Sequence, residues 1–136
     1  VLPPSIQSSL TRGVVIPAHP LALDANRKLD ERRQRALTRY YMASGAGGVA
    51  VGVHTTQFEI REPEFALYEP VLKLAAEEMD ARAGDDFIRL AGIVGKTKRA
   101  VAEAALARDC GYHLGLLSLR GFTDSTIDEM VDHCRA

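Results

Sequence analysis

The run Val49-Ala-Val-Gly-Val53 constrains this chain more than any other stretch. It is entered through Gly45-Ala-Gly-Gly48 and stops abruptly at His54-Thr-Thr-Gln57. A short continuous apolar run bounded in this way reads as a strand buried on both faces, as in a parallel sheet covered by helices. Helices close the faces of such a sheet and leave its strand ends open. The polar residues His54, Thr55 and Thr56 are therefore the first candidate site.

The rest of the chain repeats that unit. Residues 1–11 hold two prolines and three serines before any periodicity begins, and are expected to form a loosely packed arm. Arg12-Gly-Val-Val-Ile-Pro-Ala18 reads as a first strand, with Pro17 near its end, where a missing N–H matters least. A helix is predicted from Asp30, its N-cap, to Gly45, with Leu37, Tyr40 and Tyr41 as the inner stripe and Arg32, Arg35 and Arg39 facing outward. After the Val49 strand, a helix is expected over about 65–83, carried by Tyr68, Val71, Leu72, Ala75 and Met79. A strand over 87–94 follows, then a helix capped at Thr97 and ended by Cys110-Gly111, then a strand over 114–118. The last helix opens near Thr123 or Asp124, with Ile127, Met130, Val131 and Cys134 on its apolar face. Four strands alternating with four helices over residues 12–136 imply one α/β domain with a parallel sheet. A small doubly wound sheet and four units of a (β/α)8 barrel both satisfy the pattern.

Composition narrows the function classes. At 136 residues the chain can bury one real core. A net charge of -1 and the absence of Trp argue against nucleic acid or an acidic membrane as partner. No apolar run approaches the roughly 20 residues of a membrane span, and no signal-peptide pattern opens the chain. Cys110 and Cys134 form neither a metal motif nor a disulfide framework, which fits a reducing compartment, the cytoplasm.

Several strings together resemble the N-terminal half of the dihydrodipicolinate synthase and N-acetylneuraminate lyase family of (β/α)8 barrels. They are Val14-Val-Ile-Pro-Ala-His-Pro-Leu21 with Leu29-Asp30, then His54-Thr-Thr-Gln-Phe58, then Leu90-Ala-Gly-Ile-Val-Gly95 followed by Thr97, Ala100–Ala107 and Gly111. The resemblance spans roughly residues 12–136 and implies the first four units of a barrel. It also implies a lyase or aldolase acting on a 2-keto acid such as pyruvate through a lysine Schiff base, with no cofactor. Thr55 and Thr56 match the paired threonines that bind the substrate carboxylate and join a hydroxyl relay. A hydroxyl both donates and accepts, so it suits that work. Two departures stand out: His54 replaces a glycine, and Gln57-Phe58 replaces Gly-Glu. The family's tyrosine and Schiff-base lysine lie on strands five and six, beyond the four units read here. A missing C-terminal half-barrel, or a homo-oligomer that covers the open sheet edges, is the partner this implies. The alternative is a non-catalytic half-barrel that self-associates as a structural or ligand-binding module.

Other residues weigh less. His19 is expected at the same rim as His54, where the two histidines can contact substrate. Without a carboxylate or cysteine in pattern they make a weak metal site, and none is expected. Lys96 follows a strand but reads as part of a solvated helix start, and Gly92 and Gly95 match no nucleotide fingerprint. Arg61 has the chemistry to clamp a carboxylate, with Glu59 and Glu62 as its nearest partners in sequence.

Overall fold

The computed structural model describes all 136 residues. Its centre is a parallel sheet in the order β1 (Gly48–Val51), β2 (Ile88–Ile93), β3 (Leu114–Leu117). Val49 sits opposite Arg89 and Val51 opposite Ala91, and Gly92 opposite Leu116. Five α-helices accompany it: α1 (Pro4–Arg12), α2 (Glu31–Ala43), α3 (Tyr68–Arg82), α4 (Thr97–Asp109) and α5 (Ile127–Arg135). The architecture is that of consecutive parallel (β/α) units, with the apolar Val49 run as the fully buried strand.

The first expected strand is present only as an extended edge segment. Gly47 N–H donates to Val15 O, Ala50 N–H to Pro17 O, and His19 N–H to Ala50 O, which aligns Ala18 with Ala50 in parallel. Pro17 has no N–H to give, so the ladder is interrupted there and no regular strand forms. Residues 1–11 depart further from expectation. Pro4 opens α1, where its fixed φ suits a first helical position, and Ile6 and Ser9 of that helix are buried.

The core lies between the sheet and its helices. Val49 and Val51 of β1 and Ala91 and Ile93 of β2 meet Val71, Leu72, Ala75 and Met79 of α3. α3 begins at Tyr68, slightly later than the expected start near 65, with Pro70 in its first turn, where a missing N–H is tolerated.

Two helices turn a different face inward than the apolar spacing predicts. In α2 the buried residues are Gln34 and Thr38, while Tyr40 is exposed. Arg35 and Arg39 do not point to solvent alone. They reach across to α3, where Arg35 bonds Glu77 at 2.5 Å and Arg39 bonds the buried Glu78 at 3.0 Å. In α5, Ile127 and Val131 are exposed and His133 is buried beside Phe122 and Thr97. α5 starts later than expected because Thr126 and Glu129 form a reciprocal capping box. No helix is long and apolar enough to cross a membrane.

Candidate functional site

The carboxyl ends of the strands open onto a cleft of about 550 Å³. Its floor is the sheet face opposite the helices, contributed by Ala18, Ala50, Leu90 and Leu116. Its polar groups are His54, Thr55 and Ser118. No Asp, Glu, Lys or Arg lines it.

The turn after β1 decides which side chains face this cleft. Gly52, at φ +74, breaks the strand, and His54–Thr56 then fold into one 3-10 turn. A single turn cannot aim adjacent residues the same way. Thr55 is exposed and lines the cleft, as do His54 and Phe58. Thr56 is fully buried, and its hydroxyl donates to His19 O at 2.6 Å and accepts from Gly52 N–H at 3.0 Å. The paired threonines therefore separate into one open hydroxyl and one that ties the turn to the loop before it. Gln57 follows at φ +75, a conformation that glycine adopts without strain. The resembling family carries glycine at that place.

His19 does not share the rim with His54. Its ring is fully buried, with Nε2 at 2.8 Å from Thr38 Oγ1 and Nδ1 at 2.9 Å from Pro20 O and 2.8 Å from Gln34 Nε2. Gln34 also accepts from Ala22 N–H. Burial lowers the pKa of His19 below the ordinary histidine value, partly opposed by its bond to the Pro20 carbonyl. The imidazole thus explains the polar inner face of α2, and His19 is tied to the turn after β1 through its backbone carbonyl, which Thr56 holds.

Arg61 does clamp a carboxylate, but that of Glu103 rather than of its neighbours Glu59 or Glu62. It follows in a second 3-10 turn, Phe58–Arg61, and its side chain is 2% exposed. Nε donates to both oxygens of Glu103 on α4, each at 3.0 Å. Nη2 donates to Gly52 O at 2.9 Å and Gly92 O at 2.8 Å, joining the ends of β1 and β2. The guanidinium lies 4.1 Å from the centre of the Tyr68 ring, whose hydroxyl also donates to Gly92 O at 2.7 Å. Burial, with the Glu103 carboxylate nearby, pushes the Tyr68 phenol far above its ordinary range. Glu103 also accepts from Val94 N–H and from Arg99. This buried set clamps the strand ends from behind the cleft and leaves Arg61 Nη1 without a partner. The only sequence signal was Glu103 at a buried position of an otherwise alanine-rich helix.

The remaining candidates stay outside the cleft. Lys96 is exposed, and its ammonium lies 4.2 Å from the centre of the Phe122 ring. Thr97 does not cap its own helix; its hydroxyl meets His133 Nδ1 at 2.9 Å. None of the four lysines, Lys28, Lys73, Lys96 and Lys98, lines the cleft.

No protein-family model and no curated protein matches the chain. Among solved structures it is similar to a catalytic-lysine mutant of sialic acid aldolase from Ruminococcus gnavus, with a TM-score of 0.64 and 21% identity over 76% of this chain. It is also similar to N-acetylneuraminate lyase from Mycoplasma synoviae, with a TM-score of 0.64 and 17% identity over 90% of this chain. The chain covers 32% of the first structure and 42% of the second. The resemblance read from the sequence thus holds in three dimensions at the level of fold: the parallel strands and helices of this chain are arranged as in part of the (β/α) barrels of those two structures.

Proposed function

We propose that the chain supplies the N-terminal half of a lyase or aldolase site for a 2-keto acid such as pyruvate. The observation that carries this reading is the division of labour in the turn after β1. Thr55 presents an open hydroxyl to the cleft at a strand end, while Thr56 spends its hydroxyl on His19 O and Gly52 N–H. Thr55 donates to the substrate carboxylate, and its oxygen can accept a proton passed along a hydroxyl relay. Thr56 fixes the turn. His54 stands at the same polar end and makes a second contact to substrate. The amine that forms the Schiff base, a desolvated lysine, comes from the complementing half of the barrel, on a longer polypeptide or on a different chain supplied in trans.

A second reading, a half-barrel that self-associates without catalysis, is favoured by the apolar groups left in the open. Val15 is 75% exposed on the sheet's first edge and Leu116 is 56% exposed on its last strand. Surfaces of that kind are normally covered by a partner.

Treatment with pyruvate and borohydride, followed by intact mass measurement, tests the assignment of the amine. The expected result is an unmodified mass of 14.8 kDa for this chain alone. A reduced adduct on Lys28, Lys73, Lys96 or Lys98 would contradict it.

A further inference from the structure

The lining of the cleft points to more than a carboxylate site. The polar side chains His54, Thr55 and Ser118 are accompanied by Phe58, Val53 and Val94, and no charged side chain enters. Phe58 is half-buried, and its ring meets His54 edge-on at 5.5 Å between centroids. A separate cavity beside it holds Glu59, Arg61, Glu62, Arg99 and Arg120. Phe58, Val94 and Ser118 border both spaces. The charged groups of the chain's rim therefore lie on one side of Phe58, and His54 and Thr55 on the other.

We infer that Phe58 determines specificity, selecting a 2-keto acid whose tail beyond the keto carbon is apolar, branched or aromatic, over one bearing hydroxyls or charge. This rests on the reading of Thr55 as the carboxylate ligand. A polyhydroxylated tail laid against Phe58, Val53 and Val94 would lose its hydrogen bonds to water without replacement. An apolar tail gains by leaving water. Each methylene buried there is worth about 0.8 kcal/mol, close to a fourfold gain in affinity.

The experiment is a binding series by nuclear magnetic resonance titration with pyruvate, 2-oxobutanoate, 4-methyl-2-oxopentanoate, phenylpyruvate and a polyhydroxylated 2-keto acid. The expected result is an affinity that rises severalfold with each apolar extension, with the polyhydroxylated acid weakest. Phe58→Ser is expected to flatten the series, so that the affinity ratio of 4-methyl-2-oxopentanoate or phenylpyruvate to pyruvate falls toward one; Phe58→Leu is expected to keep that ratio for the aliphatic tails. Pyruvate binding with equal or falling affinity along the series overturns the inference and leaves the carboxylate site standing. A rise that survives in Phe58→Ser overturns the role of Phe58. Absence of binding by every acid, pyruvate included, overturns the carboxylate site and this inference with it.

Discussion

Replacing Arg61 by alanine should destabilise the protein by about 3–5 kcal/mol, the range for breaking a buried ion pair by removing one partner. The arginine side chain is 2% exposed and that of Glu103 is 9% exposed, so water cannot take over the lost bonds. Glu103 would keep Val94 N–H and Arg99, but Gly52 O would lose its bond from the guanidinium and Gly92 O would keep only Tyr68. Both carbonyls belong to the strand ends that shape the cleft, so the variant should also loosen the turn that carries Thr55. Urea unfolding of wild type and Arg61→Ala measures the loss, and a difference under about 1 kcal/mol would contradict the clamp. The apolar pair Arg61→Met with Glu103→Leu should cost far less than the sum of its single variants, because it leaves no charge stranded.

Gly92→Ala is the second large effect, for a different reason. A Cβ on Gly92 would collide with the Gly52 carbonyl, lying within 2.6 Å of its carbon, and within 2.8 Å of Val53 N. All of these atoms are backbone, held by the β1–β2 pairing and by Arg61, so none can swing away. Overpacking of this kind costs about 3 kcal/mol. The same displacement should raise amide exchange through Val53–Thr56 more than elsewhere in the sheet. A variant as stable as wild type, with unchanged exchange in that turn, would show that β1 and β2 do not approach as described.

Both effects concern contacts that the sequence conceals. The alternation of strands with helices, the buried Val49 run, the core stripe of α3 and the glycine that ends α4 are all written in local periodicity, and they appear where the pattern puts them. What periodicity cannot show is a polar residue buried because another polar residue meets it. Gln34 and Thr38 face inward because His19 does, and His19 faces inward because α2 offers those partners. Neither half of that network is visible alone, so Leu37 and Tyr40 look like the better inner stripe. Arg61 is the same problem at longer range: its partner is 42 residues away, while two glutamates stand close by in sequence.

The candidate site was legible in part for a related reason. A strand end followed by small polar residues locates chemistry, but not which of two adjacent threonines faces it. That choice is made by the 3-10 turn and by the carbonyl of His19, and it leaves Thr55 open and Thr56 closed. Helix α1 was hidden by its prolines, which read as breakers until one is seen to occupy the first helical position.

Titration of pyruvate into isotope-labelled protein, read at the Thr55 amide, tests the central claim most directly. Saturable shifts should centre on His54, Thr55 and Ser118. Thr55→Val should weaken binding at least tenfold, the value of one hydrogen bond to a charged group. Shifts confined to residues outside the cleft, or an affinity unchanged in Thr55→Val, would contradict the assignment of Thr55 as the group that holds the substrate carboxylate.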